Sequence, residues 1–184
     1  WRINMIKRTL AEIAAMVDGS INEGFKDTLV SGVTNDTRKI EEGNLFVPLQ
    51  GENSNGHNHV ETAFAQGAAA SFWESDAPNP PENRALIFVK DSLKALQQLS
   101  KAYLHELDAK VIGITGSNGK TTTKDMTASI MKTKYRVHKT SGNYNNHIGL
   151  PLTILSAPED TEILILEMGM SSRGEISLLS QIGQ

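Results

Sequence analysis

Cysteine is absent from the 184-residue sequence, and aromatic residues are few, at three Tyr, two Trp and five Phe. The absence of cysteine excludes a disulfide scaffold, a thiolate zinc site and a cysteine nucleophile, and it favours a reducing compartment. Scarce aromatic rings and a net charge of −3 disfavour a nucleic-acid groove, which needs stacking platforms and a basic surface. No apolar run approaches the roughly 20 residues that cross a bilayer. We therefore expect a cytoplasmic protein with no membrane segment and no nucleic-acid partner.

The composition is otherwise typical of a globular protein, with 39% hydrophobic and 21% charged residues. Charge is unevenly distributed, because residues 1–109 carry 10 basic and 15 acidic side chains, whereas residues 110–184 carry 8 basic and 6 acidic ones. A mildly basic second part that contains a glycine-rich turn suits a small phosphate ligand. Trp1 to Asn4 precede the first methionine, and we interpret them as an addition or an upstream start rather than as structure.

The first part of the chain alternates short strands with helices. Thr9 and Glu12 form a capping-box pattern at the start of a helix, and Gly19 is expected to stop that helix. A single strand is predicted over residues 30–34. The further predicted elements are strands over 45–47, 69–73 and 86–89, a helix over 60–66 that Gly67 ends, and a helix that Asp91 caps and that runs to Leu107.

The pattern restarts after Asp108, where the charge balance changes. The predicted elements are a strand over 111–115, a helix over 121–132, strands over 136–138 and 162–167, an apolar segment over 148–155 and a helix from Gly174. This alternation predicts an α/β fold: a small N-terminal α/β domain over 5–108, then the start of a doubly wound, mostly parallel P-loop domain over 110–184. Because only about three strands of the second sheet are present, we interpret the chain as a fragment.

The most specific motif is VIGITGSNGKTTTKDM at residues 111–126. Backbone N–H groups of such a glycine-rich turn converge on phosphate oxygens, with help from the dipole of the following helix. Lys120 is expected at the β- and γ-phosphates of a nucleotide, and the Thr121 hydroxyl in the shell of Mg²⁺. The strict P-loop spacing needs glycine where Ile114 stands, so the loop is a shortened variant. The alternative is an ordinary strand–helix turn. The candidate nucleotide-binding residues are Gly116, Ser117, Asn118, Gly119, Lys120, Thr121 and Thr122.

Glu167 is the candidate second metal ligand, since it ends an apolar strand at the edge where parallel strands deliver their ligands. Magnesium prefers oxygen ligands and keeps several waters, so one hydroxyl and one carboxylate are sufficient protein ligands. A solvated strand terminus is the alternative for Glu167 taken alone. We interpret Lys120 and Glu167 as catalytic residues, and Thr121 and Glu167 as the metal ligands.

The run TGSNGKTTTKDM resembles the ATP loop of the Mur ligases, which share a TG-x-x-GK-[ST]-T pattern. Three further segments are similar to that family: VTNDTRKIEEGNLFVPLQGE at 33–52, SGNYNNHIGLPLTIL at 141–155 and EMGMSSRGEI at 167–176. The similarity spans essentially all of residues 5–184. The EMGM form resembles the version found in Gram-positive bacteria.

The resemblance implies an ATP-dependent amide ligase of peptidoglycan precursor synthesis, which acts as a monomer with ATP and Mg²⁺. The implied substrates are UDP-N-acetylmuramoyl-tripeptide, whose carboxylate becomes an acyl phosphate, and D-alanyl-D-alanine, whose amine then attacks. Residues 5–108 would be the UDP-substrate domain and residues 110–184 the start of the ATPase domain. The rest of that domain, its carbamylated lysine and a closing third domain lie outside the sequence. The chain alone is therefore expected to bind the UDP-sugar but not to ligate.

The resemblance also implies substrate-binding residues in both parts. Asp36, Thr37 and Arg38 match the family's D-[ST]-R element near the UDP site, although Asp36 could simply cap a turn. Gly56 and His57 match an Asp-Gly-His element in which Asn55 replaces Asp. The family places a polar loop beside the muramoyl-peptide and the metal, and its residues here are Asn143, Asn145, Asn146 and His147. Asx turns and a structural imidazole are the alternatives for this loop.

Four other functions remain open. A non-catalytic module that binds a nucleotide or UDP-sugar would share the glycine loop. So would the Mur ligase that adds the third stem residue and folylpolyglutamate synthase, although GNYNNHIGLPLTIL disfavours both. A P-loop kinase or GTPase is disfavoured by the short loop and by the lack of a guanine-binding N/TKxD motif. The identity of the third stem residue, lysine or diaminopimelate, does not follow from the sequence.

Overall fold

The computed structural model describes residues 5–51, 55–170 and 174–183. The strands within these residues are β1 (Lys7–Thr9), β2 (Ser20–Ile21), β3 (Leu29–Ser31), β4 (Val33–Thr34), β5 (Leu45–Phe46), β6 (Ala70–Glu74), β7 (Leu86–Val89), β8 (Lys110–Ile114), β9 (Val137–Lys139) and β10 (Ile163–Glu167). The helices are α1 (Leu10–Met16), α2 (Val60–Ala65), α3 (Ser92–Leu107), α4 (Lys120–Met131), α5 (Gly149–Leu155) and α6 (Glu175–Ile182). Short 3₁₀ turns lie at Glu23–Phe25, Thr37–Lys39 and Gly56–His59.

The contacts divide the chain into two compact units, and the division falls inside α3. Residues 6–99 form the first unit, and residues from Ser100 onward belong to the second. Helix α3 itself ends at Leu107, where the sequence predicts its end, and Asp108 follows with a φ of +51°. The functional boundary near Asp108 stays a prediction.

The first unit is built around a five-stranded sheet with the order β2-β7-β6-β5-β4. Strands β4 to β7 run parallel, and β2 pairs with β7 in the antiparallel sense. Helix α2 packs on this sheet through an apolar cluster made of Phe46, Val60, Ala63, Ala68, Trp73 and Leu86. Because parallel strands end at the same edge, the loops that follow β4, β5 and β6 share one edge of the sheet.

Two local predictions in this unit need correction. The capping box is confirmed, since the Thr9 backbone N–H donates to Glu12 and the Glu12 N–H donates to the Thr9 hydroxyl. However, α1 ends at Met16, and Asp18 rather than Gly19 adopts a positive φ, at +52°. The prediction of one strand over 30–34 is wrong, because Gly32, with a φ of +81°, separates β3 from β4. Strand β3 then pairs with β1, and β4 with β5.

The second unit contains a parallel three-stranded sheet with the order β8-β10-β9. The α/β prediction is confirmed, and the apolar segment over 148–155 forms α5. Helix α4 packs on the sheet through Ala128, which lies against Ile163 and Ile165. His138 of β9 places Nε2 3.1 Å from both the Thr153 carbonyl and the Ser156 hydroxyl, which ties β9 to α5. Among the described helices, none has the length and apolar character that a membrane span requires.

Candidate functional site

The glycine-rich turn joins β8 to α4 with two residues in conformations that favour glycine. Gly116 has a φ of +148° and Gly119 a φ of +77°, and α4 begins at the next residue. The first helical hydrogen bond of α4 runs from the Thr123 N–H to the Gly119 carbonyl. The N–H groups before Thr123 therefore have no acceptor inside the helix and face its N-terminal end. Together with the positive end of the helix dipole, they form an arrangement that suits phosphate oxygens.

The side chains that follow the turn point in different directions. Lys120 folds back over the turn, and its Nζ donates to the Gly116 carbonyl over 2.7 Å. Thr121 instead reaches the sheet, where its hydroxyl donates to Glu167 Oε2 over 3.0 Å. Ser117, Asn118 and Thr122 are exposed. The structure thus brings Thr121 and Glu167 together across 46 residues of chain, while the Lys120 ammonium stays beside the glycine-rich turn.

Glu167 is almost completely buried, with 3% of its surface exposed, at the carboxyl end of the central strand β10. Its Oε1 accepts a hydrogen bond from the Asn145 amide, and its backbone N–H donates to the Thr140 hydroxyl. Burial raises the pKa of this carboxyl, but the hydrogen bonds from Asn145 and Thr121 and the nearby Lys124 ammonium outweigh burial. The pKa therefore lies below its ordinary value of 4.5, and Glu167 is ionised at neutral pH.

Lys124 belongs to this cluster, although the sequence analysis did not select it. Its side chain is 3% exposed, and its Nζ lies 3.4 Å from Glu167 Oε2 and 3.9 Å from Asp125 Oδ1. Asp125 also forms a 2.6 Å ion pair with Lys139 of β9. The sequence spacing could have indicated Lys124. Residues three apart share a helix face, and Lys124 lies three residues after Thr121.

The polar loop before α5 has two distinct roles. Asn145 bonds to Glu167, and its carbonyl accepts the Gly169 N–H. A Cβ on Gly169 would lie 3.0 Å from the Asn145 side chain, so glycine permits this close approach. Asn146 accepts the N–H groups of Ile148 and Gly149 and thereby caps α5, as the Asx-turn alternative predicts. Asn143 is exposed, and its carbonyl accepts the Asn145 N–H.

A cavity of about 460 Å³ opens beside the Lys120 ammonium. His147 lies here, and both polar and apolar residues line the cavity. The lining residues are Lys120, Asn145, Asn146, His147, Gly169, Met170, Glu175, Leu178 and Leu179. The cavity therefore gathers three of the four loop residues that the sequence indicates, together with Lys120, which follows the glycine-rich turn.

The chemistry of the Thr121–Glu167 pair fits Mg²⁺. A hydroxyl and an ionised carboxylate, 3.0 Å apart, are the oxygen ligands that this ion prefers. Within the ranges 5–51, 55–170 and 174–183, no group of three His, Cys, Asp or Glu side chains could hold a metal. A metal bound here would therefore take its other ligands from water and phosphate, which is the usual arrangement for magnesium with a nucleotide.

In the first unit, Asp36 and Arg38 follow β4. The Asp36 carboxylate accepts the Arg38 backbone N–H at 3.0 Å and pairs with two nitrogens of the guanidinium at 2.9 and 2.8 Å. The hydrogen bond from the Arg38 side chain lowers the pKa of Asp36 to about 2. The Arg38 side chain remains 85% exposed, so one face of the fork is open to a ligand. Thr37 begins the 3₁₀ turn between them.

Gly56 and His57 lie in the loop after β5. A Cβ on Gly56 would stand 2.5 Å from the Leu49 backbone nitrogen, so only glycine fits there. His57 Nε2 accepts the Glu74 N–H at 3.1 Å, and its Nδ1 lies 3.0 Å from the Asn55 side-chain oxygen. Because Nε2 is an acceptor, the neutral ring carries its proton on Nδ1. Burial lowers the pKa of His57, which favours this neutral form.

Two models of one protein family match the chain, one in each part of the sequence. The profile of the Mur ligase family catalytic domain matches residues 29–104, and the profile of the Mur ligase middle domain matches residues 114–183. The chain belongs to the Mur ligase family.

Individual relatives of the chain share the name of one member of this family. The chain is 60% identical, over 97% of its length, to UDP-N-acetylmuramoyl-tripeptide–D-alanyl-D-alanine ligase of Bacillus subtilis, of which it covers 39%. The Escherichia coli protein of the same name is 34% identical over 94% of this chain and 37% of its own. The chain thus spans about two fifths of the length of these relatives.

Solved structures give the same fold. A structure of MurF from Acinetobacter baumannii matches 99% of this chain and 40% of its own with a TM-score of 0.89 and 30% identity. The structure of MurF ligase from Thermotoga maritima in complex with ADP matches 82% of this chain and 35% of its own, with a TM-score of 0.71 and 36% identity.

Proposed function

We propose that the chain is the amino-terminal part of an ATP-dependent ligase that joins D-alanyl-D-alanine to UDP-N-acetylmuramoyl-tripeptide in peptidoglycan precursor synthesis. The observation that carries the proposal is the contact of Thr121 with the buried, ionised Glu167 beside the glycine-rich turn. The 60% identity to the Bacillus subtilis ligase supports the choice of substrates. A cytoplasmic location accords with the use of ATP, and we propose a monomer because the family assembles its site from domains of one chain.

The reaction needs activation of a carboxylate, which is a poor electrophile. A carboxylate oxygen of the tripeptide attacks the γ-phosphorus of ATP, the bond to the bridging oxygen breaks, and ADP leaves. The amine of D-alanyl-D-alanine then attacks the acyl carbon and loses a proton, and phosphate leaves. Such transfers depend mainly on alignment and on neutralising negative charge rather than on a nucleophilic side chain.

The residues of the second unit take the roles that this chemistry requires. The turn over 116–119 holds phosphate oxygens through backbone N–H groups, and Lys120 neutralises the charge of the transferred phosphoryl group. Thr121 and Glu167 would hold Mg²⁺, which supplies Lewis-acid polarisation when bound. Asn145 fixes the Glu167 carboxylate through Oε1. We assign the 460 Å³ cavity with His147 to the end of the tripeptide that receives the phosphoryl group.

For the first unit we propose binding of the UDP moiety. The exposed Arg38 guanidinium offers planar donors to a phosphate or a uracil carbonyl, while Asp36 holds its other face. Gly56 and His57 support the adjacent loop through backbone contacts, so their part in binding is to shape the loop. We keep the boundary between the substrate domain and the ATPase domain near Asp108.

Calorimetric titration of this chain with UDP-N-acetylmuramoyl-tripeptide and with Mg-ATP tests the binding roles. We expect measurable binding of the UDP substrate, and we expect ATP to bind far more weakly than it does in the full-length enzyme, because a closing domain is needed to exclude water. Arg38→Gln should weaken binding of the UDP substrate about tenfold, as loss of one charged hydrogen-bonded contact does. Arg84→Gln, a matched change in the same unit, should leave it unchanged. Equal binding by both variants would contradict the assignment of Arg38.

The activity itself is tested in the longer protein that contains this sequence. ADP release should require both UDP-N-acetylmuramoyl-tripeptide and D-alanyl-D-alanine. A non-catalytic nucleotide-binding module would show binding without ADP release. Preference for an amino acid over D-alanyl-D-alanine would instead indicate the ligase that adds the third stem residue.

A further inference from the structure

We propose that Lys124 is a positioning residue that makes metal binding at Glu167 depend on the nucleotide. The inference rests on the proposed nucleotide site and extends it to a residue outside the phosphate-binding turn. Lys124 Nζ and the Thr121 hydroxyl approach the same oxygen, Glu167 Oε2, at 3.4 and 3.0 Å. A divalent cation that binds this oxygen therefore meets a fixed positive charge in its immediate neighbourhood.

Lys124 cannot move away easily. Its side chain is 3% exposed, so little water screens its charge. Asp125, 3.9 Å from Nζ, also attracts the ammonium, and Lys139 in turn holds Asp125 through a 2.6 Å ion pair. Three successive ion pairs of alternating charge thus connect Glu167, Lys124, Asp125 and Lys139.

This series of ion pairs has an electrostatic consequence for metal binding. At short range and with little solvent, like charges repel strongly, so the Lys124 ammonium opposes a bare divalent ion beside Glu167. Phosphate oxygens carry negative charge that offsets this repulsion, and they add ligands to the ion. The metal is therefore expected to bind well only together with the nucleotide phosphates. Lys124 thus raises the selectivity of the site for a metal–nucleotide complex over the metal alone.

The test measures Mn²⁺ binding to this chain by electron paramagnetic resonance, with and without saturating ADP. In the unchanged chain, ADP should raise the Mn²⁺ affinity strongly. Lys124→Met should raise the affinity for Mn²⁺ alone about tenfold and reduce the enhancement by ADP by a similar factor. The matched control is Lys132→Met, which removes an exposed lysine just after the same helix and should change neither value.

A second variant covers the case in which Lys124→Met does not fold. Lys124→Gln keeps a hydrogen-bond donor near Glu167 and removes the charge, so it should show the same tighter binding of Mn²⁺ alone. Unchanged or weaker Mn²⁺ affinity in a folded variant would overturn the inference, since a purely structural lysine or one needed to keep Glu167 ionised gives that result. ADP binding, measured separately, distinguishes the proposed nucleotide site from the role of Lys124. If ADP binds but the Lys124 variants do not change Mn²⁺ affinity as expected, only the role of Lys124 fails. If the unchanged chain binds neither ADP nor Mn²⁺, the proposed function fails as well.

Discussion

Both units place polar loops at the carboxyl edge of a parallel sheet, but the polar side chains of these loops are used differently. In the first unit, Asp36 pairs with Arg38 and His57 bonds to the Glu74 backbone, so neighbouring groups satisfy one another within or between loops. In the second unit, three side chains converge on one buried carboxylate, Glu167: Thr121 and Lys124 from α4, and Asn145 from the loop before α5. Contacts that converge on one ionised carboxylate fix its position and charge for a ligand. Hydrogen bonds that polar groups make to their neighbours in the loops chiefly stabilise the conformation of those loops.

The contrast predicts the largest effect for Lys120, which lies beside the converging network. Lys120→Ala should lower ligation by the longer protein at least about a hundredfold, because charge on the transferred phosphoryl group loses a preorganised partner. Circular dichroism should show an unchanged fold. The same change at exposed Lys132 serves as the control. Near-normal turnover of Lys120→Ala would remove the turn over 116–119 from the nucleotide site.

The next effect concerns stability. Glu167→Gln leaves the Lys124 ammonium buried without its carboxylate, and the free energy of unfolding should fall by about 3 kcal/mol. Urea denaturation at neutral pH measures the change, and Glu82→Gln, at an exposed site in the turn before β7, is the control.

The pH dependence of this effect has a definite sign. Since the pKa of Glu167 is lowered below 4.5, ionisation stabilises the fold above that value, and the stabilisation is lost as the pH falls through the lowered pKa. The difference between the two proteins should therefore shrink in acid. A difference that does not change with pH would show that packing, not charge, explains the loss.

A smaller effect is expected at Gly56 in the first unit. Gly56→Ala places a methyl group 2.5 Å from the Leu49 backbone nitrogen, so the loop must shift, and we expect a loss of about 2 kcal/mol. Gly24→Ala is a matched control, because no atom lies within 4 Å of its Cβ position. Chemical denaturation of both variants provides the comparison. Equal stability would show that the loop after β5 yields without cost.

The smallest effect on stability is expected for the Asp36–Arg38 pair, because this pair is exposed. Its loss should mainly change the pKa of Asp36. Carbon-detected NMR should find a pKa of about 2 for Asp36, and Arg38→Gln should move it toward 3.8. The pair contributes above the ordinary pKa and is lost as the pH falls toward 2. Arg84→Gln should leave the titration unchanged. An Asp36 pKa near 3.8 in the unchanged chain would contradict the ion pair.

The sequence predicts what short-range rules determine. The Thr9–Glu12 capping box, the strand Leu86–Val89 and the turn before α4 follow from residues a few positions apart, and the structure confirms these elements. The sequence does not predict the division at Gly32, because residues 30–34 have the pattern of one strand. The division depends on tertiary pairing, since β3 pairs with β1 and β4 pairs with β5.

The candidate site shows the same limit. The elements that carry Thr121 and Glu167 could be placed from the rule that parallel strands end at one edge, which predicts their proximity. Lys124 could not be ranked as easily, because its importance depends on burial against a carboxylate 43 residues away. From the sequence pattern alone, a lysine on a helix is expected to be exposed to solvent.

The strand order of the second unit determines when its sheet can form during synthesis of the chain. The central strand, β10, is the last of the three to be made, and within this sheet β8 and β9 each pair with β10 and not with each other. At ribosomal rates of roughly 5–20 residues per second, β8 waits several seconds for its partner. The first unit, whose sheet is complete once β7 emerges, can form during that interval. A nascent chain paused before Ile163 should therefore expose β8 and β9 to chaperones while its first sheet is already folded.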